Sequence, residues 1–203
     1  MKFGEFRVLF LIVVAVVALL VASPALSRLL VYPRTEFFTE LYLLGSNHMA
    51  EDYPYNITRG QNYSVFLDVA NHLGYTAYYL VELKFRNITQ SAPYAFGPPS
   101  NQTPSSLPSL YNITAFVADE ETWELPLTFS FDYAFNATSL QVNFQSMILN
   151  GATLSLNGHS TSWNATMRML PGNLVLELWL YNSTTSSFQY NHRFLSLWLN
   201  MTG

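Results

Sequence analysis

The amino-acid sequence predicts an all-β protein, an antiparallel β-sandwich preceded by one N-terminal transmembrane helix. An unbroken apolar run stands near the start. Beyond it, apolar residues recur at spacing two in several short segments separated by turn residues, and no segment carries an amphipathic helical pattern.

The apolar run, Val8 to Leu26, holds no charged residue and is apolar without interruption from Val8 to Ala22. That is close to what a helix needs to cross a hydrocarbon core of roughly 30 Å. Lys2 and Arg7 stand against Glu5 on one side, and Arg28 and Arg34 follow on the other, so flanking charge does not fix an orientation. A cleaved signal peptide is the competing reading, with Ala25-Leu26-Ser27 as its small-x-small site. The run exceeds the usual signal-peptide core, and we read it as a retained signal anchor. Residues 1–34 then form a cytoplasmic tail and membrane anchor, and residues 35–203 one extracellular domain, a length ample for a single core.

Pro33 ends any helical continuation, and Glu36 to Leu44 reads as the first strand, although its mixed periodicity also fits a short interfacial helix. A turn-rich stretch with Pro54 and Gly60 leads to Tyr63, Val65, Leu67 and Val69 at spacing two. Asn71-His72-Leu73-Gly74 then looks like a tight connection to Tyr79, Val81, Leu83 and Phe85, giving a hairpin from about Tyr63 to Arg86. Residues 90–109, rich in Pro and Ser, read as a long exposed loop.

Tyr111 to Val117 is strand-like, and Leu125, Leu127, Phe129, Phe131 and Tyr133 alternate again. Ser162 to Met169 separates Trp163, Ala165, Met167 and Met169 from Ser162, Asn164, Thr166 and Arg168, as a strand would. Pro171-Gly172 reads as a turn into Leu174, Leu176, Leu178 and Leu180, and Asn182 to Ser187 returns the chain into Phe194 to Met201. The expected total is eight or so short strands.

Composition narrows the function classes. From Thr35 onward there are five basic residues (Arg59, Lys84, Arg86, Arg168, Arg193) against twelve acidic ones, a net of minus seven, so nucleic acid is not an expected partner. There is no cysteine, which weighs against a disulfide scaffold and against thiol or thiolate-metal chemistry. His48, His72, His159 and His192 stand far apart, and neither a Gly-x-Ser-x-Gly element nor a phosphate-cradling glycine loop is present. Asp119, Glu120, Glu121 and Glu124, like Glu51 and Asp52, lack the alternating spacing of a calcium loop. We therefore expect no catalytic residues, no cofactor and no metal. Tyr53, Tyr55, Tyr75, Tyr78 and Tyr79 read mainly as packing residues, with a sugar- or peptide-binding face as the other use for such a set.

What the sequence does carry is an array. Asn-x-Ser/Thr occurs nine times, at Asn56, Asn62, Asn87, Asn101, Asn112, Asn136, Asn164, Asn182 and Asn200. With sixteen Asn in the chain, composition alone gives about three such triplets. A glycan is bulky and polar and must face solvent, so these asparagines are expected outside the core: Asn164 on the polar face of its strand, and Asn56, Asn101 and Asn182 in turns or the Pro-rich loop. Asn101 is the weakest, because Pro104 follows its Thr. Dense sequons without cysteine favour an archaeal cell surface, and they set the topology as tail in, domain out.

The stretch LYLLGSNHMAEDYPYNITRGQNYSVFLDVANHLGYTAYYLVELKF resembles the extracellular part of archaeal predicted membrane proteins of the domain of unknown function 1616 family. The shared elements are a strand ending in Leu-Gly, Ala50-Glu51-Asp52-Tyr53-Pro54, a strand closing on Asn71-His72, and Leu170-Pro171-Gly172 before a Leu-rich strand. The resemblance implies an outward-facing immunoglobulin-like module and supplies no catalytic residues. Many members carry several membrane helices where this chain shows one apolar run.

The expected function is that of a non-enzymatic, N-glycosylated cell-surface protein with a structural or interaction role in the envelope. Its partners are the lipid bilayer, covalent N-glycans, and a protein partner or further copies of itself. An accessory single-span subunit of a larger membrane complex is the alternative. The apolar run has no polar centre for an ion path, but could pack laterally through Ala15 and Ala18. An extracellular carbohydrate-binding module is a third reading.

Overall fold

The computed structural model describes residues 3–29 and 36–202. It contains one helix, α1 (Phe3–Leu29), and eleven strands: β1 (Phe38–Leu44), β2 (Asn56–Ile57), β3 (Tyr63–His72), β4 (Ala77–Arg86), β5 (Tyr111–Val117), β6 (Thr122–Asn136), β7 (Gln141–Leu149), β8 (Ala152–Ser155), β9 (Ser160–Ser162), β10 (Pro171–Asn182) and β11 (Ser187–Met201). The chain divides into two compact units, Met1–Phe37 and Phe38–Gly203. Lys2, Pro33 and Arg34 lie outside the described residues.

From Val8 to Ala22 α1 is apolar all round, and its described side chains from Phe6 to Val21 are exposed. Among the described residues no helix is long and apolar enough to cross a membrane. Ala25-Leu26-Ser27 lies within the helix.

The second unit is a two-layer sandwich. One sheet runs β1-β3-β6-β7-β8, with β9 also on β7, and the other runs β2-β11-β10-β4-β5. All pairs are antiparallel except the short β2–β11 contact. Alternation supplies the core: Val65, Leu67, Val69, Leu127, Phe129, Phe131 and Tyr133 from the first sheet meet Tyr79, Val81, Leu83, Phe85, Leu174, Leu176 and Leu178 from the second. The Phe85 ring bridges the layers, 4.7 Å from Phe144 and 5.8 Å from Phe131, centroid to centroid. In a constant-type immunoglobulin domain the edge strand beyond the one paired with the second strand precedes it in the chain. Here β7 follows β6, so the layered antiparallel architecture matches the prediction while this edge departs from immunoglobulin order.

Three local expectations are corrected. The Tyr63–Arg86 hairpin does not form, because β3 and β4 belong to different sheets and face one another across the core. Period-two alternation is identical for strands paired side by side and strands packed face to face, so it could not separate the two. Asn71 makes the crossing, buried with both ends of its amide in use. Its Nδ2 donates to the Tyr75 and Val117 carbonyls (2.7 and 2.9 Å), and its Oδ1 accepts from Leu73 N–H and Tyr79 O–H (3.2 and 3.1 Å).

Ser162 to Met169 is not a strand either. β9 ends at Ser162, and the chain folds into a turn in which the Asn164 carbonyl accepts from Arg168 N–H (2.7 Å), with Arg168 left-handed at φ 55°. Pro171-Gly172 is not a turn but the buried start of β10, paired with Asn200 and Leu199. Proline needs no donor at the first strand position, and a Cβ on Gly172 would stand 2.7 Å from Met201 Cε and 3.2 Å from the Phe85 ring. The Pro/Ser-rich stretch 90–109 is an exposed loop over most of its length, as expected. It contains a 3-10 turn at Pro99–Asn101 and is tied down at the buried Ser105.

Candidate functional site

None of the nine sequon asparagines is buried. Asn56, Asn62, Asn101, Asn112 and Asn136 are exposed; Asn87, Asn164, Asn182 and Asn200 are half-buried. Their positions differ in part from expectation: Asn56 lies in β2 and Asn164 in the turn after β9, whereas Asn101 does sit in the loop and Asn182 at the β10–β11 turn. Several are held by their carbonyl oxygen, as Asx turns allow. Asn136 Oδ1 accepts from Thr138 and Ser139 N–H (2.9 and 3.1 Å), Asn182 Oδ1 from Thr184 N–H (2.8 Å), Asn164 Oδ1 from Met167 N–H (2.8 Å), and Asn112 Oδ1 from Ser109 O–H (2.6 Å).

The amide nitrogen is what a sugar would be joined to, and it is engaged at three sites. Asn87 Nδ2 donates to the Ser160 carbonyl (2.9 Å), Asn182 Nδ2 to Gln189 Oε1 (3.2 Å), and Asn200 Nδ2 to Asn56 Oδ1 (2.8 Å) across the β2–β11 pair.

Three clefts mark the domain surface. The first, about 510 Å³ and almost wholly apolar, lies between β1, an edge strand, and β11, lined by Tyr42, Leu43, Leu44, Tyr53, Leu195 and Leu197 among others. The second, about 370 Å³, is mixed in polarity around Tyr75, Tyr181, Gln189, Tyr190 and His192. The third, about 350 Å³, runs between Asn87 and Asn164 past Ser160, Thr161 and Trp163.

The five tyrosines of the sequence reading disperse. Tyr79 is in the core, Tyr53 and Tyr75 line different clefts, and Tyr55 bonds Met169 Sδ. Tyr78 joins a row across four strands, stacked on Phe116 at 4.2 Å and near Phe188 and Tyr181 at 5.1 and 5.9 Å. The histidines are equally scattered. His48 and His72 pair with Glu124 and Glu120 (3.0 Å each), and His159 meets the Phe85 ring edge-on at 5.5 Å, where burial lowers its pKa. Among the described residues no group of three or more acidic or histidine side chains is arranged to hold a metal.

The sequence reading missed two buried carboxylates on the outward faces of the sheets. Glu177 is 0 % exposed and receives Lys84 Nζ at 2.7 Å and the Ser105 N–H at 2.7 Å, while Lys84 also reaches Glu82 at 3.0 Å. The signal was present: Glu177 stands between Leu176 and Leu178, and its outward neighbours Val175 and Trp179 are apolar too. On the other sheet Asp68, 2 % exposed, sits opposite Glu124 in the register of β3 and β6, with Oδ2 unpartnered. Burial, and then the Glu124 charge, pushes its pKa up to about 6.

Against known families, the chain matches the domain of unknown function DUF1616 over residues 33–147, more than half its length, and it belongs to that family. No curated protein matches it. Among solved structures it is similar to a β-glucosidase from Listeria innocua in complex with glucose. The TM-score is 0.41 at 8% identity over 85% of this chain, which spans only 17% of that enzyme. It is also similar to a chain of the complex of zinc 2-glycoprotein and prolactin inducible protein from human seminal plasma, with TM-score 0.38 at 8% identity, covering 84% of this chain and 99% of that one. Likeness of this degree transfers neither activity nor partner.

Proposed function

We propose that this protein is a non-enzymatic, N-glycosylated component of the cell surface, of archaeal type, with an immunoglobulin-like sandwich outside serving a structural or interaction role in the envelope. Its N-terminal helix is the membrane tether, with the short tail inside. The observation that carries the reading is that all nine sequon asparagines stand off the core of a domain whose interior is closely filled. Nine triplets stand against about three expected from composition, and none of their asparagines is buried, whereas Asn71 and Asn173, outside any triplet, are. A sugar coat also supplies the hydration that a domain with few charged residues lacks. For the tether, a helix apolar on every side from Val8 to Ala22 is at home only in lipid or among other apolar helices.

Protease treatment of intact cells tests the topology: the sandwich is expected to be released, and full protection would overturn it. Mass spectrometry of the native protein tests the glycans, with most sites occupied as the expected result.

A second reading, the accessory subunit of a larger membrane complex, is favoured by the apolar cleft between β1, an edge strand, and the Leu195–Leu197 part of β11, which lies beyond the short pairing of β2 at Asn200 and Met201. Extraction in mild detergent separates the two. A stoichiometric second chain supports the subunit, and a monomer or homopolymer supports the envelope component.

A further inference from the structure

The cleft between the turn after β4 and β9 has a composition that neither the fold nor the general surface reading requires. Its walls are Asn87, Ile88 and Thr89 after β4, and Ser160, Thr161, Ser162, Trp163 and Asn164 at and after β9. Two sequons therefore open on one cleft of about 350 Å³, room for a sugar ring or two. Trp163 leaves 46 % of its surface exposed beside it, a large apolar face open to the cleft. Thr161 is 5 % exposed, and its hydroxyl has no hydrogen-bond partner. That oxygen is itself closed to solvent, so what the cleft presents to a ligand is the Trp163 face and the polar residues of its rim. An aromatic face flanked by Ser and Thr hydroxyls is what the two sides of a sugar ring require, C–H on one and O–H on the other.

The two acceptors are not equivalent. Asn87 has both ends of its amide in use: Nδ2 donates to the Ser160 carbonyl at 2.9 Å, and Oδ1 accepts from the Thr89 N–H and the Thr89 hydroxyl at 3.0 and 2.8 Å. The hydroxyl of its own sequon is thus turned inward on the asparagine. Asn164 is held only by its oxygen, which accepts from Met167 N–H at 2.8 Å, and Thr166 of its sequon is exposed. The turn fixes the carbonyl end and leaves the nitrogen as the available end.

We propose that Asn164, and not Asn87, bears a glycan, and that its first sugar lies in this cleft against Trp163. The inference rests on the surface-glycoprotein reading above. In the transfer, Nδ2 of Asn164 forms a bond to the anomeric carbon of a glycosyl-phosphate donor. The carbon–oxygen bond to that phosphate breaks, the phosphate leaves with the electron pair and takes one proton from the amide, which keeps the other. Oδ1 goes on accepting from Met167 throughout, so the turn is preserved. The cleft then ties sugar to protein at the seam where β9 joins the first sheet.

Glycopeptide mass spectrometry of the native full chain, followed by melting of four forms, tests this. The expected result is high occupancy at Asn164 and none at Asn87. Trp163→Ala is expected to lower the melting temperature by about 2–4 °C in the glycosylated protein, and to change it by less than about 1 °C when Thr166→Ala has removed the glycan. Glycans elsewhere with Asn164 bare, or with Asn87 occupied, overturn the inference and leave the surface reading standing. An occupied Asn164 with the same Trp163→Ala effect in both backgrounds overturns the packing in the cleft. A chain bare at every sequon overturns both.

Discussion

The two sheets each bury a carboxylate on their outward face, and they do so by opposite means. On the β4–β10 face, Glu177 is covered by the 90–109 loop and receives an ammonium and a backbone N–H. Arg86 beside it donates to Asn173 Oδ1 at 2.9 Å and lies 5.0 Å from the Trp198 ring. On the β3–β6 face, Asp68 is covered by the β1–β2 loop through His48, which stacks on Phe66 at 3.8 Å and pairs with Glu124 at 3.0 Å. Asp68 itself keeps one oxygen unpartnered and faces a second carboxylate across the strands. Burial of charge is tolerable where donors meet every lone pair, and where they do not the group moves toward its neutral form. The first face is therefore a fixed clamp on a loop, and the second titrates near neutrality.

The largest test of that contrast is Lys84→Met. It leaves Glu177 buried without its counter-charge and is expected to cost about 3–5 kcal/mol, read by denaturant unfolding. Adding Glu177→Leu should recover most of the loss, because an uncharged pair needs no compensation, short of the ~1–3 kcal/mol for the stranded Ser105 N–H. If the double variant is as unstable as the single one, the loop and not the charge governs this face.

Asp68→Asn is expected to act in the reverse sense and only above a certain pH. The native pKa, about 6, lies above the ordinary value of 3.8. The folded state thus binds the proton more tightly, and its advantage is full below 3.8 and lost as pH rises through 6. At pH 8 the wild type carries a buried carboxylate opposite Glu124, so Asp68→Asn should stabilise by about 2–3 kcal/mol. At pH 4 the gain should vanish. A gain that is flat with pH would remove Asp68 from the comparison. Ser105→Pro, which deletes one N–H from Glu177 and leaves Lys84 in place, should fall below both, at about 1–2 kcal/mol.

These two sites show where sequence reading stops. Alternation gave the inward residues of β3, β4, β6 and β10 because one face of each meets the core, and a period of two registers that directly. It could not say that β4 lies across from β3, since facing and pairing leave the same pattern. Nor could it see that Lys84 and Glu177, at positions which alternation marks as outward, are buried by a loop from elsewhere in the chain. Ser162 to Met169 failed differently. Eight residues of alternation fit a strand, but Asn164 caps a turn through its own carbonyls, and backbone hydrogen bonding overrode the pattern. The sequons were fully legible as positions. Which of their nitrogens is free was not, because Ser160 stands 73 residues from Asn87 in the chain.

The smallest expected effect is also the sharpest. His48 is well exposed, so losing its contact with Glu124 in His48→Ala should cost less than ~1 kcal/mol at neutral pH. Yet the His48 charge is what lowers the Asp68 pKa against burial and Glu124, which raise it. Without it, the Asp68 transition should move above pH 6, in carbon-detected NMR of the carboxyl group, while the melting temperature hardly changes. The Lys84 face offers no counterpart to that outcome. A shift of the transition to lower pH, or none, would mean that the β1–β2 loop shields Asp68 by exclusion of water alone, and the two outward faces would then differ in packing and not in charge.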